Sequence, residues 1–219
     1  MKLLLTSGGI TNSSLSDALH KLAGKNPNRT KVAYIPVAAN AEAGNKDWVI
    51  KDFINFWRYG YNYIDIVDPS AADTDWRPRL DGADIIALSG GNTFHLLNQV
   101  RKTGLGEWLN KNLEGKVYVG GSASSLIATP NIGVASIGVF GDKNLPGLTD
   151  LTGLKWVDFE IIPHVPGWAS YKDCEQYAKT TKNVVYALDD SSAIMVKDGK
   201  SKVISEGAWK VYNDKPGNT

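Results

Sequence analysis

A serine hydroxyl becomes a nucleophile only where a base can take its proton and the backbone presents it at a sharp, exposed turn. The stretch VYVGGSASSL, residues 117–126, offers such a place. An apolar run ends there in Gly120-Gly121-Ser122-Ala123-Ser124, all small residues, with Ser122 where the chain must turn. A nucleophile elbow needs small residues two before and two after its serine, because the two backbone segments nearly touch. Ser122 is therefore the candidate nucleophile. The same window also fits a strand packed closely against the helix that follows it, with no chemistry at all.

The chain has three histidines to serve as a base. His164 ends the apolar run VDFEIIPH, where a parallel sheet delivers side chains to a site at its carboxyl edge, and is the candidate base. A buried structural histidine is the alternative. His20 sits in an amphipathic segment and reads as a surface residue, while His95 follows a glycine turn by four residues and fits either a pocket wall or a helix interior. That turn, LSGGNTFHLL (88–97), is a second strand–glycine–helix junction whose backbone N–H groups could hold an oxyanion. Gly91 and Ala123 are the candidate oxyanion donors. Neither this loop nor TSGG has the spacing of a dinucleotide or P-loop site, and no His or Cys pair has metal-ligand spacing, so neither cofactor nor metal is expected. Cys174, in a polar helical segment, gives a third reading as a cysteine hydrolase little support.

Short apolar runs alternating with segments of helical period must position these residues. That pattern predicts an α/β sandwich of three layers around a largely parallel sheet. Strands are expected in KLLLTS, KVAYIPVA, YIDIVD, ADIIALSGG and from Lys116, with helices in SLSDALHKLAG, DWVIKDFINFWRYG, TFHLLNQVRKTG and LGEWLNKNLEG. Ser14 and Asp17 suggest a capping box for the first helix, and Gly24 its end. Beyond Ser125 the pattern shifts to short strands in GVASIGV, VDFEIIPH and VVYAL, a helix in YKDCEQYAKTT, and an antiparallel pair, SAIMVK and KVISEG, joined through Asp198-Gly199. The last residues, NDKPGNT, are expected to fray.

With 219 residues, 24 basic against 23 acidic side chains and no charged tail, the chain suits one domain, 1–219, able to bury its own core. Its net charge of +1 argues against nucleic acid or anionic membrane as partners. One cysteine and a start too short in apolar residues for a signal or a span suggest a cytoplasmic protein, monomer or homodimer.

Taken in order, GGNTFHLL, GGSASS, DLTGLKWVDFEIIPH and ALDDSSAIMV resemble the motifs of the dipeptidase E (aspartyl dipeptidase) serine peptidases, with cyanophycinase a more distant relative. The resemblance covers most of the chain. It implies a Ser–His hydrolase on a scaffold similar to the class I amidotransferases, acting on short peptides, with Ser122 as nucleophile, His164 as base, and Gly91 and Ala123 as oxyanion donors. Two positions depart from the pattern. Ser124 replaces the usual glycine, and NIGVASIGV, where the family's acid is expected, has no carboxylate. Asp142 is the next acid and the candidate third member; Glu160 is a further possibility, though four residues from His164 along a strand is beyond a hydrogen bond. The family's aspartyl enzymes are expected to hold the substrate carboxylate with an arginine after the histidine, and this chain has no arginine after Arg101. Lys172, with Asn92 and His95, is a candidate substrate contact, and Trp168 and Tyr171 suggest a more aromatic pocket. The expected activity is a dipeptidase-like exopeptidase without strict preference for N-terminal Asp. The alternative is a catalytically silent small-molecule or peptide-binding protein on the same scaffold.

Overall fold

The computed structural model of the chain describes residues 1–138 and 141–214. In chain order these form β1 (Lys2–Thr6), α1 (Ser13–Ala23), β2 (Lys31–Ile35), α2 (Val37–Asn40), α3 (Asp47–Arg58), β3 (Tyr63–Ile66), α4 (Arg77–Asp81), β4 (Ile85–Leu88), α5 (Thr93–Lys102), α6 (Leu105–Asn112), β5 (Val117–Gly121) and α7 (Ala123–Leu126). They continue with β6 (Glu160–Ile162), α8 (Tyr171–Ala178), β7 (Val185–Leu188), β8 (Ser192–Lys197), β9 (Lys200–Ser205) and β10 (Trp209–Tyr212). Seven strands make the main sheet in the order β3-β2-β4-β5-β1-β8-β9, the first five parallel and the last two antiparallel.

The apolar runs are continuous because the central strands are covered on both faces. Side chains alternate across a strand, so Leu3, Leu5, Ile86, Leu88 and Tyr118 join one core with α5, α6 and α7. Leu4, Ile85, Ala87, Val117 and Val119 point the other way, into a second core with Leu15, Leu19 and Leu22 of α1 and Phe56 of α3. The result is the expected sandwich of three layers. The β8–β9 hairpin turns at Asp198 and Gly199, with φ of 52° and 75°, the positive pair that a two-residue I′ turn requires.

Several local expectations give way to the structure. Segment 133–139 is not a strand: Gly133–Ser136 is a 3₁₀ turn, and Val139 lies outside the described residues. The cap of α1 is Asn12, whose Oδ1 accepts the Leu15 N–H at 3.0 Å, and not Ser14 with Asp17. The second strand ends at Ile35 because Pro36 has no N–H to continue the ladder, and Val37 and Ala38 enter a helix. Strand β10 was not expected. Of the terminal residues expected to fray, 215–219 lie outside the described residues.

Strand β10 completes a small second sheet, β10-β7-β6, in which β6 and β7 run parallel with Ile162 opposite Ala187. Their carboxyl ends therefore lie side by side. In the main sheet the carboxyl ends of β1, β4 and β5 also converge, since β5 sits between the other two. A crevice at the carboxyl ends of parallel strands is where open α/β sheets bind their ligands.

At the end of β5 the chain passes so close to α7 that a Cβ added at Gly120 would lie 2.8 Å from Ser125 N and 2.9 Å from the Ser124 carbonyl carbon. These are backbone atoms, which cannot swing aside. Gly120→Ala is expected to destabilise the fold by roughly 1–3 kcal/mol, read as a lowered midpoint of thermal unfolding.

Candidate active site

Ser122 stands between β5 and α7 with φ 52° and ψ −112°, a backbone conformation that L-residues rarely adopt. Such positions cost on the order of 1–3 kcal/mol and persist only when their surroundings over-determine them. Here the Ser122 N–H donates to Thr6 O at 3.0 Å, and the Ser125 hydroxyl reaches Thr6 O at 2.8 Å and Gly120 O at 2.9 Å. Ser124, the departure expected to crowd the turn, is turned inward instead. Its Oγ accepts the Gly121 N–H at 2.7 Å and donates to Leu88 O at 2.6 Å, tying the elbow to the end of β4.

His164 follows β6 by two residues, and its Nε2 lies 2.8 Å from Ser122 Oγ. Its Nδ1 is held by Asp190, two residues past the end of the neighbouring β7. Register explains the meeting: with Ile162 opposite Ala187, the residues just beyond both strands leave the sheet side by side. The hydrogen bond from His164 holds the Asp190 carboxyl below its usual range. Ser7, fully buried at the end of β1, closes a ring: its Oγ accepts the His164 backbone N–H at 2.8 Å and donates to Asp190 Oδ1 at 3.0 Å. Like Ser122, His164 has a positive φ, 57°, and the Ser7 bond helps to hold it there. The His164 ring also meets the Trp168 ring edge to face, 5.4 Å between centroids.

The glycine loop after β4 lies against the elbow, a Cβ at Gly90 falling 3.3 Å from Ser122 Cβ. Gly91 has φ 131° and presses on α2 so closely that a Cβ would come 2.4 Å from Ala38 C and O. Only glycine fits. The Ala123 N–H opens α7, where no carbonyl of its own helix can pair with it. Ala123 follows Ser122 directly, and Gly91 borders a cavity of about 880 Å³ that Ser7, Ser122, Asp142, His164 and Asp190 also help to line.

The structure brings together Ser122, His164, Gly91 and Ala123, and it replaces the expected acid. Asp142 reaches the cavity wall but not His164 Nδ1; its Oδ2 accepts the Thr93 N–H at 2.7 Å, and burial raises its carboxyl. Glu160 is buried and occupied by Tyr177, by Thr181 at 2.9 Å and by Asn183 at 2.7 Å. Asp190 lies within ALDDSSAIMV, far along the chain from the stretch after the serine where the family's acid is expected. The available signal was an acid at the carboxyl end of a strand.

Among the candidate substrate contacts, Asn92 borders the cavity but spends its side chain on the fold, capping α5 through the His95 N–H and donating to Lys143 O at 3.0 Å. His95 is half-buried away from the cavity, its pKa lowered by burial, and Lys172 is exposed on α8. Tyr171, too, is not part of the cavity wall, whereas Trp168 is. Cys174 is buried in α8, with its thiol pushed up to about 11 by burial, which disfavours the thiolate a nucleophile needs. Among the described residues no group of three or more His, Cys, Asp or Glu could hold a metal, and no helix is long and apolar enough to cross a membrane.

A strained serine at a strand–helix turn, a histidine on its hydroxyl and a carboxylate behind that histidine define the serine-hydrolase class of α/β protein. The chain belongs to Peptidase family S51, whose sequence profile matches residues 3–204, and is a serine peptidase. It is 30% identical over 194 residues to an uncharacterized peptidase of Pasteurella multocida, covering 86% of this chain and 90% of that one. It is 31% identical over 137 residues to Peptidase E of a Nostoc species, covering 61% of this chain and 52% of that one. In fold it resembles a crystal structure of a peptidase from an acI-B1 actinobacterium, with TM-score 0.72, 18% identity and coverage of 98% and 91%.

Two outcomes follow from this geometry. Ser7→Ala removes a hydrogen bond to a charged group, worth about 1.5–3 kcal/mol, so kcat should fall roughly ten- to a hundred-fold with KM little changed in steady-state kinetics. Asp52, also in the cavity wall, has its carboxyl raised by burial from 3.8 to about 6. A value higher in the folded state than in the unfolded one means that the cost of charging it is absent below pH 3.8 and complete above about 6. Asp52→Asn should therefore stabilise the protein by roughly 1–3 kcal/mol at pH 8 and not at pH 3.5, as measured by denaturant titration.

Proposed function

We propose that the protein is an exopeptidase of dipeptidase type that hydrolyses short peptides through an acyl-enzyme on Ser122. The observation that carries this reading is the 2.8 Å contact from Ser122 Oγ to His164 Nε2, with Asp190 on the far ring nitrogen. His164 accepts the hydroxyl proton as Oγ attacks the peptide carbonyl, and the Gly91 and Ala123 N–H groups receive the oxyanion. The C–N bond then breaks as His164 returns that proton to the leaving amine. Water, deprotonated by the same imidazole, attacks the ester and releases the acyl group and Ser122. Asp190 keeps Nδ1 protonated, so that Nε2 is the atom free to accept.

A cavity of about 880 Å³ falls in the range of sites for small ligands, which suits a short peptide. Among the described residues no arginine lines it, so the planar fork that would favour a substrate carboxylate is missing from that lining, and a strict preference for N-terminal Asp is not expected. The reading of a silent binding protein drew on Ser124 and on a missing acid. Ser124 is accommodated within the elbow, and Asp190 occupies the acid's place.

Intact-mass analysis after fluorophosphonate treatment tests the proposal. The native chain should gain one adduct, Ser122→Ala none, and His164→Ala little or none within the same exposure. Asp190→Asn should label slowly, since loss of the orienting acid costs about 10⁴ in the serine-protease template. A well-folded native chain that neither labels nor hydrolyses any dipeptide would return the silent binding protein as the better reading.

A further inference from the structure

The cavity carries charge that the hydrolytic machinery does not use. Glu42, Asp52 and Asp142 line it, and among the described residues its lysines are Lys51 and Lys143. Lys51 is already paired with Asp47 at 2.7 Å, and Asp190 is engaged by His164. Three carboxylates thus face one free lysine.

Asp52 is the most defined of the three. Its Oδ2 accepts the Tyr34 hydroxyl at 2.6 Å, a neutral donor that fixes the carboxylate without cancelling its charge. Its Oδ1 faces Gly9, where an added Cβ would lie 2.5 Å away. That oxygen has no hydrogen-bond donor among the described residues. Trp48, one helical turn earlier on α3, lines the same cavity, and the Lys46 ammonium lies over its ring at 5.8 Å from the centroid. A carboxylate with an unpartnered oxygen, in a cavity lined by more carboxylates than free lysines among the described residues, is suited to receive an organic cation on an apolar stem.

We propose that Asp52 is the recognition point for a substrate ammonium group, carried on a lysine-type side chain, so that the peptidase favours short peptides with a basic residue. The inference rests on the peptidase reading above. The side chain is the favoured source because Asp52 is separated from the elbow by Thr6 and Gly9. Ser122 N–H meets Thr6 O at 3.0 Å, Gly9 N–H meets Thr6 Oγ1 at 3.0 Å, and Asp52 lies against Gly9. A four-carbon lysine stem carries its ammonium away from the reacting carbonyl, whereas an α-ammonium stands two bonds from the carbonyl carbon under attack.

The test compares kcat/KM for lysyl-, norleucyl- and Nα-acetyl-lysyl-p-nitroanilide in the native chain, Asp52→Asn and Asp52→Glu. Norleucine keeps the apolar stem and lacks the ammonium. The native chain should favour lysyl over norleucyl at least ten-fold, Asp52→Asn should bring that ratio close to one, and Asp52→Glu should keep part of it. Norleucyl reacting as well as lysyl, with activity lost on Nα-acetylation, would assign the ammonium to the chain terminus and overturn the side-chain proposal. A native ratio of one or less, or a ratio unchanged in Asp52→Asn, would also overturn it. Fluorophosphonate labelling of Ser122 in the same samples separates the two failures, since a labelled enzyme without the preference loses only this inference. If no anilide is cleaved, calorimetric binding of lysine amide against norleucine amide decides: a ten-fold preference lost in Asp52→Asn supports the site, and equal affinities reject it.

Discussion

The bond from the Ser122 N–H to Thr6 O holds the nucleophile candidate where β1 and β5 end together, and the rest of the site is arranged around it. A serine at φ 52° relaxes unless its neighbours forbid relaxation. Small hydroxyl side chains supply the restraint. Ser125 bonds to Thr6 O and Gly120 O, Thr6 Oγ1 bonds to Gly120 O at 2.8 Å, and Ser124 reaches Leu88 O. Each is a buried polar atom with its partner in place, so the turn is tied into three neighbouring strands at little desolvation cost. Ser124 therefore does by hydrogen bonding what glycine does elsewhere by being absent.

The second constraint is that the candidate nucleophile and its candidate base come from different sheets. Ser122 ends a strand of the seven-stranded sheet, while His164 and Asp190 follow adjacent parallel strands of the three-stranded one. Their relative placement depends on the shared core beneath them, where Ile161, Ile162, Ala187 and Leu188 pack in one cluster with Leu126 and Ile127 just past the elbow. Ser7 adds a direct link. From the end of β1 it bonds both to the backbone of His164 and to the carboxylate behind it.

Electrostatics divides the cavity. Near Ser122 the carboxylate of Asp190 is matched by His164, as proton transfer requires. Farther along the wall Asp52 and Asp142 are raised by burial. A carboxylate whose charge is disfavoured by its surroundings is one that a bound cation relieves, so the cost in stability and the gain in recognition have the same origin.

Much of this was legible from residue order. Apolar runs covered on both faces, the small residues around Ser122, the glycine turn at 90–91 and a histidine at the end of a strand are local patterns, and local patterns follow from the geometry of helices and strands. What local pattern could not decide was which acid meets His164. Asp142 is 22 residues from His164 and Asp190 is 26, so sequence distance hardly separates them; the parallel pairing of β6 with β7 does. Lys172 and His95 failed as substrate contacts for the same reason, because the face a helical residue presents depends on what its helix packs against. Nor could Asp52 be told from any other helix carboxylate until Gly9 and Tyr34 were brought to it from two other strand regions. The sequence by itself determined the elements and the elbow, whose requirements are satisfied within a few residues; the acid that meets His164 and the charged lining of the cavity were decided by tertiary structure, because each is a meeting of segments that only sheet order and register bring together.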